Sequence, residues 1–321
     1  MLKDIAFSDM YLEPNGVWYK RSPSDGVRRT PSQEEIAECA RLREALMAHR
    51  TGMDFRFEHE SGLTLRAQRI NTLEGDVYIC RSLKDAPIEY AKLGMPFKLQ
   101  RALLDDSFRK GGLILWTGGT GAGKSMSQAS WLTTYMTEYG GTACTVENPI
   151  EIRLQGQYSN GGTTGTIYQT EVQSDEEFGA AISRLLRAAP SVIMLGEIRD
   201  AAAAARAVIA GASGQLVSAT LHGNNIPTAL ERLRNMLREA KLDNGLLADS
   251  LCAIVHQSMT TETFMEQEQH HIAFSPLIVS GSSSMTAIRS HLRQDDLSSL
   301  ASELSRQHRN MLADTPKIGG F

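Results

Sequence analysis

The sequence predicts an α/β protein in two parts, a larger C-terminal part built on a parallel sheet and a smaller N-terminal α/β part. Three observations carry this. From about residue 98 onward, short apolar runs alternate with longer helical stretches, the pattern of strands buried on both faces and covered by helices. A glycine-rich stretch, residues 118–125, sits directly between one such run and a helical stretch. The first hundred residues instead show short strand-like runs around a single helical segment. A chain of 321 residues and 35.2 kDa is long enough for two domains.

In chain order, Met10–Glu13 and Val17–Lys20 flank Pro14-Asn15-Gly16, a turn signal between two short strands. Pro31 to Arg50 reads as a helix. Ser32 can cap it, Glu34 and Glu35 lie in its first turn, and Ile36, Ala40, Leu42, Leu46 and Met47 recur at helical spacing. Leu63–Ala67 and Asp76–Arg81 alternate like paired strands. These elements define an N-terminal domain over residues 1–83, followed by a linker over 84–97 with two prolines and a Leu-Gly pair. The second domain covers 98–321. Its strands are Leu113–Trp116, a run over 141–146, Val192–Leu195 and a run over 215–220; residues 156–165 read as a loop, and Asp200–Gly211 as a helix of small side chains. The C-terminal segment reads as helical, and the tail after Asp314 as frayed.

Composition narrows the function classes. Hydrophobic residues are 41% and charged residues 22%, a globular mixture. Lys plus Arg is 33 against 37 for Asp plus Glu, a net charge of −4, which gives no basic excess for a nucleic-acid partner. Cys39, Cys80, Cys144 and Cys252 lie far apart with no Cys-x-x-Cys pair, so neither a zinc knuckle nor a disulfide framework is expected. No apolar run approaches a bilayer span, and the first residues carry acids where a signal peptide is apolar.

The chemistry is concentrated in four segments. Gly118-Gly119-Thr120-Gly121-Ala122-Gly123-Lys124-Ser125 fits G-x-x-x-x-G-K-[ST], with a strand before it and a helix after it. In such a loop glycines let successive backbone N–H groups face phosphate oxygens, and the helix N-terminus adds positive potential. Lys124 reaches the terminal phosphates and Ser125 offers its hydroxyl to Mg²⁺. The segment 191–200 (SVIMLGEIRD) ends an apolar strand in Gly196-Glu197, a carboxylate at the edge where parallel sheets bind ligands. Thr145-Val146-Glu147-Asn148-Pro149-Ile150-Glu151 offers two carboxylates four residues apart as alternatives for activating water. His222 ends a further strand, in Ala219-Thr220-Leu221-His222-Gly223.

Together GGTGAGKS, TVENPIE, LGEIRD and ATLHG resemble, in order and spacing, the hexameric secretion and pilus-retraction ATPases, a branch of the RecA-like NTPases. Phe7–Pro14 is similar to that family's opening strand, so the resemblance runs over roughly residues 5–295. It implies a RecA-like P-loop motor domain with a PAS-like N-terminal domain. It implies ATP and Mg²⁺ as cofactors, with Gly118 to Ser125 and the adjoining Met126 contacting nucleotide, and Ser125 and Glu197 at the metal. Glu151 would be the catalytic base, His222 would sense the γ-phosphate, and Arg66 and Arg81 would reach a neighbouring subunit's ATP. The implied function is an ATP-hydrolysing homohexamer powering a type IV secretion or conjugation system, or pilus retraction. It would be cytoplasmic and held at the inner membrane through partner components. The alternatives are a RecA-like nucleic-acid motor and a nucleotide-binding scaffold with little hydrolysis. Asn148 stands where the family has Asp, Gln215 where many members have a second His, and the tetracysteine module is absent. Residues 287–293 (AIRSHLR) resemble a motif of the retraction branch.

Overall fold

A computed structural model describes the chain except residues 1, 3, 4, 6, 22–25, 50, 51, 265, 266, 295, 296 and 313–321, so the tail expected to fray lies outside the described residues. The chain divides into two compact units, Met1–Ala86 with Pro149–Arg153, and Pro87–Asn148 with Leu154–Phe321.

The first unit contains β1 (Asp9–Glu13), β2 (Gly16–Lys20), α1 (Gln33–Ala48), β3 (Asp54–Glu58), β4 (Thr64–Thr72) and β5 (Gly75–Ser82). The strands form an antiparallel sheet in the order β2-β1-β5-β4-β3. Period-two alternation turns Met10, Leu12, Leu65, Ala67, Tyr78 and Cys80 onto Cys39, Leu42 and Leu46 of α1. Ser32 and Glu35 close a reciprocal capping box at the start of α1, satisfying backbone groups that the first turn leaves unpaired. β3 has no counterpart in the sequence reading. Its Asp-Phe-Arg-Phe-Glu alternation is only five residues long. The register sets Lys20, Asp9, Arg81, Arg66 and Arg56 in one row across the sheet. Pro149–Arg153 joins this unit through a bridge between Ile152 and Lys84.

The second unit begins with the stretch expected to be a linker. Tyr90, Leu93 and Met95 are buried there, and a 3₁₀ turn over Tyr90–Lys92 precedes α2 (Phe97–Ala102). Then come β6 (Gly112–Gly118), α3 (Lys124–Tyr139), β7 (Gly141–Glu147), β8 (Gly156–Ser159), β9 (Thr164–Glu171), α4 (Asp175–Ala188), β10 (Val192–Leu195) and α5 (Ala201–Ala212). The chain continues through β11 (Leu216–His222), α6 (Ile226–Glu239), α7 (Asn244–Ser250), β12 (Leu251–Phe264), β13 (Gln267–Ile278), α8 (Met285–Arg293) and α9 (Ala301–Leu312). The sheet order is β13-β12-β6-β11-β10-β7-β9-β8. Its six inner strands are parallel, and β8 and β13 are antiparallel edges.

One face of this sheet packs on α5 and α6, where Leu113, Leu115, Ile193, Val217 and Ala219 meet Ala203, Ala204, Ala207, Leu230 and Leu233. The alanine run brings α5 close to β6. A Cβ on Gly211 would lie 3.1 Å from the backbone of Gly112. On the other face, Trp116 of β6 meets Trp131 of α3 with ring centroids 6.4 Å apart. Two features differ from the sequence reading. The glycine-rich stretch read as a loop is the β8–β9 hairpin, and β12 with β13 forms a long hairpin that was not foreseen. β12 pairs with β6 only as far as His256, and beyond it the two strands continue as a two-stranded ribbon.

Candidate nucleotide site

The parallel order places the C-terminal ends of β6, β7, β10 and β11 along one edge. Gly118, Glu147, Leu195 and His222 end these strands. After β6 the backbone turns through Gly118, Gly121 and Gly123 at φ of +152°, +76° and +84°. These angles strain any residue with a Cβ, so glycine is the physical requirement of this loop. α3 then starts at Lys124, so its unpaired N–H groups and the positive end of its dipole face the loop. Lys124 is 8% exposed, and its Nζ donates to the carbonyls of Gly118 at 3.1 Å and Gly119 at 2.8 Å. The Met126 sulfur accepts from the Ile88 N–H at 3.1 Å, which ties the helix start to the segment before α2.

β11 fastens the neighbouring strand end with successive polar residues of one face. Ser218 accepts from Gln128 Nε2 and Trp116 Nε1, and Gln128 Nε2 also donates to the Leu195 carbonyl. Thr220 Oγ1 donates to the Gly196 carbonyl at 2.6 Å. His222 Nε2 lies 3.1 Å from Glu197 Oε1, and Arg199 Nε donates to Glu197 Oε2 at 2.9 Å. Arg199 also donates to the Asn148 carbonyl at 3.3 Å. Glu197 therefore has a guanidinium on one oxygen and an imidazole on the other. Burial, and then the Lys124 ammonium, push the His222 pKa below its ordinary value, against the pull of Glu197. His256, opposite Thr117 in register, is pushed down in the same way, first by burial and then by Lys124.

The two carboxylates of the TVENPIE segment have different settings. Glu147 is buried at the end of β7, and its Oε1 accepts from Thr145 Oγ1 at 2.6 Å and Gln169 Nε2 at 2.9 Å. Glu151 is exposed and falls in the first unit, where its backbone carbonyl accepts from the Lys84 N–H. Arg66 and Arg81 also lie in the first unit, opposite each other on β4 and β5. Arg81 is anchored by buried Asp9, whose Oδ1 accepts from both Nε and Nη2 at 2.8 Å. The second unit by itself thus brings together residues 118–126, Glu197 and His222, while Glu151, Arg66 and Arg81 belong to the first. Gln215 precedes β11, at the opposite edge of the sheet from His222. The sequence reading missed Arg199, Thr220, His256 and Gln257. Arg199 stood two residues after Glu197 in the LGEIRD segment, whereas Gln257 carries no signal in a segment with no motif.

A strand–loop–helix cradle with a lysine and a hydroxyl, sharing its sheet edge with a carboxylate–histidine pair, is the arrangement of a phosphate-binding loop on a RecA-like fold. The chain belongs to the Type II/IV secretion system protein family, whose description matches residues 6–306. It is similar to the type IV pilus assembly ATPase PilB of Acinetobacter baylyi, 32% identical over 249 residues, which are 72% of this chain and 41% of that protein. It is also similar to the putative type II secretion system protein E of Escherichia coli, 31% identical over 278 residues, or 80% of this chain and 52% of that one. The chain spans about half the length of these curated relatives. Among solved structures, the pilus retraction motor PilT with bound ADP superimposes with a TM-score of 0.71 at 24% identity, covering 98% of this chain and 88% of that one. The ATPase DotB of Legionella pneumophila gives 0.70 at 18% identity, covering 95% and 85%. These likenesses show the fold.

Proposed function

We propose that the chain is an ATP-hydrolysing ring motor, a homohexamer that powers a type IV secretion, conjugation or pilus machine. The observation that carries this reading is the single sheet edge that joins Lys124, Ser125, Glu197 and His222. The donor set fits a nucleoside triphosphate: a glycine cradle with positive φ, a buried ammonium and a helix N-terminus suit polyphosphate oxygens. The Ser125 hydroxyl and the Glu197 carboxylate are hard oxygen donors of the kind Mg²⁺ takes. When bound, Mg²⁺ supplies charge neutralisation at the β- and γ-phosphate oxygens.

The chain's own groups then have distinct tasks. Lys124 exchanges its two carbonyl partners for phosphate oxygens, a charge-assisted contact in a buried setting. Neutral His222 holds Glu197 through Nε2 and stands at the strand end next to the loop, where it can sense the terminal phosphate. Glu151 accepts the proton of the attacking water. Arg81, fixed by Asp9, and Arg66 serve the ATP of a neighbouring subunit, so that turnover needs a closed ring. No helix among the described residues is long and apolar enough to cross a membrane. The proposed place is the cytoplasmic face of the inner membrane, reached through partner components. Steady-state phosphate release tests this reading. Lys124→Ala should lower turnover by about 10²-fold or more while the chain stays folded, as loss of a charged contact to the reacting group implies. Near-normal turnover by that variant would remove the reading.

A further inference from the structure

Gln257 is the first residue of β12 past its pairing with β6, at the root of the ribbon. Its side chain is fully buried, and Nε2 donates to the Ala122 carbonyl at 2.5 Å. Its own carbonyl lies so close to the loop that a Cβ on Gly118 would stand 2.2 Å from it. A Cβ on Gly123 would stand 3.2 Å from Nε2 and 3.8 Å from Ile272 of the facing strand. One residue of the ribbon root therefore touches the phosphate loop at Gly118, Ala122 and Gly123. Its Oε1 is buried without a hydrogen-bond donor, a situation folded proteins keep rare.

The peptide plane explains what this contact does. In a planar trans peptide the C=O and the following N–H point in opposite directions. Holding the Ala122 carbonyl toward β12 therefore turns the Gly123 N–H the other way, out of reach of β12 and into the loop. A carbonyl turned inward at this position would repel phosphate, whereas an N–H attracts it. We propose that Gln257 is a positioning residue of the nucleotide site, which fixes the Ala122–Gly123 peptide so that the Gly123 N–H faces phosphate. The proposal rests on the nucleotide reading of residues 118–125. It gives the ribbon root a direct mechanical connection to the phosphate loop.

The test uses the full chain with two variants of similar side-chain shape. Gln257→Met removes the donor, and Gln257→Glu sets a carboxylate oxygen against the Ala122 carbonyl. Calorimetric titration with Mg²⁺-ADP and steady-state phosphate release give Kd, KM and kcat, and thermal melting reports folding. Loss of one buried hydrogen bond that organises a charged site corresponds to about a tenfold weaker Kd for Gln257→Met, and a larger loss is expected for Gln257→Glu. KM for ATP should rise in the same order with kcat nearly unchanged, since the contact acts on binding in ground and transition states alike. A merely structural role would lower the melting temperature without separating KM from kcat. Wild-type Kd and KM in both variants, with wild type binding Mg²⁺-ADP normally, would overturn the assignment of Gln257 alone. Wild type that binds no Mg²⁺-ADP would overturn the nucleotide reading and this proposal with it.

Discussion

Glu147 and Glu151 are separated by four positions, yet one is buried and the other exposed. Two donors, Thr145 and Gln169, fix one oxygen of buried Glu147, which suits a carboxylate that holds a strand end. Exposed Glu151 is the carboxylate of the pair open to solvent, as the proposed role of base requires. Glu151→Gln should therefore bind Mg²⁺-ATP with near wild-type affinity and lose turnover by about 10²–10⁴-fold, the usual weight of a general base. Nucleotide titration and phosphate release measure the two effects separately. A crippled Glu147→Gln beside an active Glu151→Gln would reverse the assignment. The residues of the phosphate loop were legible in the sequence because backbone geometry itself demands glycine at Gly118, Gly121 and Gly123. Thr220, His256 and Gln257 were not, since their partners Gly196, Thr117 and Ala122 lie 24 to 139 positions away and only the sheet order unites them.

β6 and the loop after it depend on a backbone that comes unusually close to β12. Gly118 has φ of +152°, and a Cβ there would meet the Gln257 carbonyl at 2.2 Å, a backbone atom that cannot move aside without shifting the strand. Gly118→Ala should therefore lower the melting temperature by several degrees and weaken Mg²⁺-ADP binding together, since strain and overpacking each cost about 1–3 kcal/mol. An unchanged melting temperature and affinity would show that β12 does not constrain the loop. Strands were read well where burial on both faces makes an unbroken apolar run, as in Val192–Leu195, whose bounds the sequence alone marks. The ribbon of β12 and β13 was not, because residues 258–271 (SMTTETFMEQEQHH) are mostly polar and show no alternation of apolar and polar positions in the sequence. The β8–β9 hairpin was hidden by Gly161 and Gly162, which supply its turn and gave the whole segment the composition of a loop.

At the scale of the whole molecule, the residues proposed for turnover are divided between the two units. The second unit holds the phosphate loop, Glu197 and His222, while the first holds Arg66, Arg81 and Glu151. The sequence reading named both sets, but it did not assign Pro149–Arg153 to the first unit, because a bridge between Ile152 and Lys84 spans 68 positions and leaves no local pattern. Arg81 meets Asp9 by register rather than by sequence proximity, and the cross-strand row it shares with Arg66 and Arg56 concentrates positive charge on one line of the sheet. In the ring proposed above, that charge serves the nucleotide of the adjacent subunit, where it stabilises charge on the transferred phosphoryl group. The most direct test is phosphate release by rings assembled from two inactive subunits, Lys124→Ala and Arg81→Ala. Each variant alone should turn over poorly. Mixed rings should regain activity, because some interfaces then pair an intact phosphate loop with an intact Arg81. If mixed rings form, as shown by tagged co-purification, and no mixing ratio restores turnover, the shared site between subunits is contradicted.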